Sequence, residues 1–131
     1  MTDPEILAPY PALASANPEA KTILVAFMRQ IHQEFGVRPS RPTSRGGAYY
    51  AHPAPFLTIL SATRSDRKVN VAIAFKTTPA EISDLRLLAV PYQRGVYAYL
   101  NIGSLEEVEV AMTAARRAWH NMLEQSAGRG A

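Results

Sequence analysis

The chain contains no cysteine. Disulfides, thiolate metal sites and cysteine nucleophiles are therefore excluded. No apolar run approaches the roughly 18 residues that a membrane-spanning helix requires. The stretch ALASA at 12–16 resembles a signal-peptidase site, but Asp3 and Glu5 stand where a basic region should precede it, and Pro4, Pro9 and Pro11 interrupt the apolar segment. No signal peptide is expected. The expectation is a cytoplasmic protein without a membrane partner. Internal repeats are also missing, and Gly46-Gly47 has neither the lysine nor the following helix of a phosphate-cradling loop. His32, His52 and His120 lack metal-ligand spacing, and Ser61, Ser65 and Ser104 sit in no nucleophile context. Neither a cofactor nor a metal is expected.

What is present describes one globular domain. A length of 131 residues with 47% hydrophobic composition suffices for a single core without covalent staples. The net charge is +3 but unevenly placed. Between Phe35 and Ala80 stand seven basic residues and one acid, Asp66; the remainder has seven basic and ten acidic residues. Such a layout steers anionic partners toward the middle of the chain.

Residues 1–16, rich in Pro and Ala, are expected to form an extended arm pinned by Tyr10 or Leu13. Asn17-Pro18 then marks a helix start, with a capping side chain followed by proline at the first helical position. Ile23, Phe27, Ile31 and Phe35 recur at four-residue spacing and form one apolar face, which Gly36 terminates. The segment 37–47, with Pro39, Pro42 and the Gly pair, excludes both helix and central strand. Three strands are expected at 48–52, 56–62 and 69–75, the last two as an antiparallel hairpin. Pro53 and Pro55 mark the first as short or peripheral. A short helix or turn is expected after Thr78. VYAYLNI at 96–102 alternates as a fourth strand. SLEE at 104–107 is a capping box that opens a helix to about Glu124, with Trp119 on its apolar stripe. A flexible tail at 126–131 follows the domain spanning 17–125. The class is α+β: a two-layer sandwich whose four-stranded, mainly antiparallel sheet packs against an N-terminal and a long C-terminal helix.

The pairing of VNVAIAF with RGVYAYLNIGSLEEVEVAMTAARRAWHNM resembles the small α+β domain of unknown function appended to restriction-type endonucleases. That domain is sometimes labelled a predicted transport protein and is distantly similar to YdhG-like domains. The resemblance covers about 55 residues, and Gly95–Met122 carry its strand–cap–helix pattern, with Leu105, Glu106 and Val108 as cap and first core contact. The proline-interrupted AYYAHPAPFLTIL departs from the family's aromatic strand pair. The resemblance implies a binding module in nucleic-acid-associated systems, with no catalytic residue to carry over.

Two surfaces follow from the residues. Arg38, Arg41 and Arg45 offer guanidinium forks suited to phosphate, with Tyr49 and Tyr50 beyond them for base stacking. Arg64, Arg67 and Lys68 extend this patch if both loops converge at one end of the sheet. Alternation allows only one of Tyr49 and Tyr50 to face the core. The second surface is the far side of the sheet, where Tyr97 and Tyr99 would stand with Asn70 and Asn101. It serves as a stacking platform or a homodimer contact, although the Gly-aromatic signature of RNA-binding sheets is absent. The expected function is non-catalytic binding of an anionic partner, nucleic acid foremost. The alternative is a homodimeric protein-interaction or scaffold domain.

Overall fold

The computed structural model describes residues 6–14, 17–43, 46–51, 54–65, 68–77, 88–92 and 95–130; at 12, 14, 65, 88–92, 95–97 and 126–130 it describes the backbone. Asn17 caps helix α2 (Pro18–Phe35) by accepting a hydrogen bond from the Glu19 amide at 2.9 Å. Gly36 ends the helix with φ of 71°, its amide donating to the His32 carbonyl. The apolar stripe buries Ile23, Leu24, Phe27, Met28 and Ile31. Over the described residues 6–14 the chain is not an extended arm: a four-residue helix α1 (Pro11–Ala14) forms, and Ile6, Leu7, Tyr10 and Leu13 are buried in the core. The apolar residues among the N-terminal prolines have a surface to cover, and covering it removes them from water.

Six strands follow: β1 (Arg41–Pro42), β2 (Ala48–Ala51), β3 (Pro55–Ser65), β4 (Lys68–Phe75), β5 (Leu88–Tyr92) and β6 (Gly95–Ile102). They form one antiparallel sheet in the order β1-β2-β3-β4-β6-β5. The expected four strands are present, and two edge strands join them. Both contain proline, Pro42 and Pro91, which argues against a central strand but not against an edge, where an amide need not pair. Pro55 is the first residue of its strand. Residues 78–87, where a helix or turn was expected, lie outside the described residues; 88–92 is strand. The polar link between β3 and β4 is shorter than its composition suggests, since pairing continues to Ser65 and Lys68.

Helix α3 (Val108–Gly130) continues past Glu124, through most of the segment expected as a tail. Ser104 accepts from the Glu107 amide at 3.3 Å, and the Glu107 carboxylate accepts from the Gly103 amide at 3.0 Å. The capping residues occupy a turn, and regular helix begins at Val108. Ala111, Ala114, Ala115 and Ala118 are fully buried, so α3 lies close to its neighbours. Both helices pack on the face formed by Ile59, Val71, Ile73, Phe75, Leu100 and Ile102. Phe27 meets Phe75 edge-on at 6.4 Å, and Phe56 lies among Phe35, Tyr50 and Trp119 at 5.2–6.2 Å. Trp119 is therefore a core contact.

Candidate nucleic-acid interface

The arginine stretch begins along an edge. Val37 is buried and Arg38 exposed. The Ser40 amide donates to the Tyr49 carbonyl at 2.7 Å. Its hydroxyl donates to the Ala51 carbonyl at 2.7 Å and accepts from the Ala51 amide at 3.2 Å. These three bonds hold the proline-rich segment against β2. Arg41 then pairs with Tyr49 in register, and its guanidinium lies 4.8 Å from the centre of the Tyr49 ring. A guanidinium stacked on an aromatic face keeps its N–H fork directed outward.

Alternation separates the two tyrosines. Tyr50 pairs with Leu57 on the helix-covered face and is 1% exposed; Tyr49 pairs with Thr58 on the opposite face and is half-buried.

The basic stretch and the hairpin do not form one field among the described residues. The β1–β2 turn and the β3–β4 hairpin point to the same end of the sheet, because Ala48 stands opposite Ile59 while β3 continues to Ser65. Arg41 is level with Thr58, six residues short of Arg64. At about 3.3 Å per residue this is a separation of about 20 Å along the strand. The faces differ as well. The β3–β4 register shifts between Ile59 and Ser61, leaving Leu60 without a partner. This extra residue inverts the side-chain parity of the rest of β3. Ala62 and Arg64 consequently pair with Val71 and Val69 on the helix side. There Arg64 donates to Glu19 in the first turn of α2 at 2.9 Å. Lys68, opposite Ser65, stays on the outer face with Asn70. Arg45, Arg67 and His52 lie outside the described residues.

The outer face has its own order. One cross-strand row runs Arg41, Tyr49, Thr58, Ala74, Tyr99, Leu88 across all six strands. The next contains Ser61, Ala72 and Asn101. Small residues at the centre make a floor, with Ala72 and Ala74 each 2% exposed, and the half-buried Tyr49 and Tyr99 stand on either side. Three strand spacings, about 14 Å, separate the two tyrosine backbones. Ala98, Leu100 and Ile102 face the helices, as the alternation of β6 requires. Tyr97 pairs with Val90 through its backbone. The six strands contain no Asp or Glu.

No group of three potential metal ligands occurs among the described residues. His120 contacts Glu124 at 2.8 Å on the surface of α3. Burial pushes the Tyr50 phenol well above its ordinary range, with a further push from Tyr10, and burial also raises Tyr10. Sequence reasoning gave Tyr10 a pinning role only, set His32 aside as a metal ligand, and did not consider Arg29 as a site residue. They converge with Arg38 and Tyr50 around a cavity, and the one available signal was the i, i+3 spacing of Arg29 and His32 beside a tyrosine-containing N-terminal segment. No family model, curated protein or solved structure matches the chain.

Proposed function

We propose that the protein is a binding module for an anionic partner, and that the partner is single-stranded nucleic acid lying across the outer face of the sheet. The observation that carries this reading is the row from Arg41 and Tyr49 to Tyr99 over a floor of Thr58 and Ala74. Tyrosine rings at both sides supply stacking surfaces for unpaired bases. Arg41 and Lys68 supply phosphate contacts, and the strands hold no carboxylate to repel a polyanion. Arg64 is assigned to the helix side, where it is paired. The resemblance to modules appended to restriction-type endonucleases points toward the same class of partner.

The test is an anisotropy titration with single-stranded and duplex oligonucleotides at about 50 and about 200 mM salt. Single strands should bind more tightly, and affinity should fall steeply with salt. Tyr49→Ala or Tyr99→Ala should weaken binding by roughly 1–3 kcal/mol for each base unstacked. Arg41→Ala and Lys68→Ala should reduce the salt slope, whereas Arg64→Ala should not. Undetectable or salt-insensitive binding rejects the reading.

A second reading uses the same face as a homodimer contact. The two buried alanines at the centre of the face, Ala74 in the tyrosine row and Ala72 in the next, favour it, since small central residues permit close approach. Concentration-dependent sedimentation that Tyr99→Ala abolishes would select it over nucleic-acid binding.

A further inference from the structure

The helix side of the sheet holds a cavity of about 380 Å³, and its lining differs in kind from the outer face. Ile6, Pro9 and Tyr10 form one wall, Met28, Arg29, His32 and Gln33 of α2 a second, and Val37, Arg38 and Pro39 a third; Tyr50 of β2 is also part of the lining. The size lies within the range of small-molecule sites, about 300–1,000 Å³. The described lining combines apolar side chains with two arginines and includes no carboxylate.

Tyr50 is the residue that points to a ligand. It is 1% exposed, and its ring packs on Phe56. Its hydroxyl has no hydrogen-bond partner among the described residues. No side-chain polar atom of those residues is both sealed from solvent and unpartnered, so the hydroxyl reaches the cavity. The phenol is deeply set and its donor faces the cavity, where a ligand oxygen can accept from it. Tyr10, 4% exposed, is a second phenol on the same cavity, and its hydroxyl is likewise unpartnered among the described residues. Phenols ordinarily titrate near 10.0 and burial raises both of these further, so they are protonated through the neutral range. They are therefore available as donors. Arg38 is exposed on the rim and brings positive charge to it.

We infer that this cavity binds a small amphipathic anion, its carboxylate or phosphate head accepting from Arg38 and the Tyr10 and Tyr50 hydroxyls, and its apolar part lying on Ile6, Met28, Val37 and Pro39. This goes beyond the outer-face reading: Tyr49 and Tyr50 are adjacent in sequence, but alternation gives one to each face, so the two sites use different sides of β2.

The probe is 1-anilinonaphthalene-8-sulfonate, followed by its fluorescence, with uncharged N-phenyl-1-naphthylamine as control. Decanoate and phenyl phosphate serve as competitors that distinguish a carboxylate from a phosphate head. The anionic dye should bind with one-to-one stoichiometry, and at least one competitor should displace it. Tyr50→Phe, which retains the ring, and Arg38→Gln, on the exposed rim, should each weaken displacement about tenfold, the size of a lost hydrogen bond to a charged group. The neutral dye should not respond to either substitution. Arg41→Ala should leave the cavity unaffected while weakening oligonucleotide binding, so failure of one site is distinguishable from failure of the other. Displacement by neither competitor, or affinities within twofold of the parent for both Tyr50→Phe and Arg38→Gln with native circular dichroism, overturns the inference.

Discussion

Arg116 of α3 grips Glu34 of α2 with two prongs: its Nε donates to one carboxylate oxygen at 2.8 Å and its Nη2 to the other at 3.0 Å. The remaining Nη1 donates to Glu109 on its own helix at 2.9 Å. These bonds raise the Arg116 guanidinium above its ordinary range, Glu34 contributing more than Glu109. The pair joins the C-terminal turn of one helix to the middle of the other at the helix–helix seam. Because the groups are 36–66% exposed, solvent screens much of the attraction. Arg116→Ala should cost about 0.5–1 kcal/mol. Arg116→Lys should recover only part of this, since an ammonium cannot span both oxygens. Urea melts of both variants, with Glu34→Gln completing a double-mutant cycle, would check it. A cycle with zero coupling would mean that the seam is held by packing alone.

Gly47 lies directly against the irregular stretch of β3. A Cβ placed there would stand 2.2 Å from the Ile59 carbonyl oxygen and 3.2 Å from that of Leu60. Backbone cannot yield as a flexible side chain can, so the β1–β2 turn must lift away if any side chain is added. Gly47→Ala should destabilise the fold by about 1–3 kcal/mol, the range for overpacking. It should also increase hydrogen exchange at the Ser40 amide, which bonds to Tyr49 across the same edge. Unchanged exchange with a lowered melting temperature would place the strain elsewhere.

The α3 cap should show its worth by substitution. Ser104→Ala removes the acceptor for the Glu107 amide, at a cost of about 1 kcal/mol. Glu107→Gln keeps an oxygen for the Gly103 amide and should cost less. Thermal melts in parallel would rank them, and a larger loss for Glu107→Gln would contradict the geometry.

Alkaline stability follows from the two raised phenols. In the unfolded chain both titrate near their ordinary value of 10.0. In the folded chain they retain their protons to higher pH. Between the two values the folded state binds more protons, so stability is intact below about pH 10 and is lost as pH rises above it. Each such group contributes a slope approaching 1.4 kcal/mol per pH unit in that window. Tyr50→Phe removes one of the groups. Its melting temperature should fall less than that of the parent between pH 9 and 11, although it starts close to it at pH 7. Parallel curves for the two proteins would show that Tyr50 ionises freely in the folded state.

Much of the architecture was legible locally. Asn17-Pro18, Gly36 and Ser104-Leu105-Glu106-Glu107 each specify a terminus by chemistry confined to a few residues; the first two act as read, whereas Glu107 reaches the Gly103 amide and regular α3 starts four residues after Ser104. The alternation in VNVAIAF and VYAYLNI assigned faces correctly for β4 and for the described side chains of β6. The edge strands were harder. Proline in LAVPY and at Arg41-Pro42 argues against pairing unless one knows that the strand has a free side, which depends on sheet order. The cavity was less legible still. Its walls come from 6–10, 28–33, 37–39 and Tyr50, and no local period links them.

Sequence alone determined where the two long helices begin, which stripe each buries, and that a basic middle segment sits among strands, because capping, periodicity and charge are properties of neighbours along the chain. Only the tertiary structure decided which cations share a surface. A single unpaired residue at Leu60 turns Arg64 to the helix side and toward Glu19, while Arg41 remains outside on Tyr49. The reason is the two-residue period of a strand: one extra residue reverses every side chain beyond it, and whether a strand bulges is settled by the partner it pairs with.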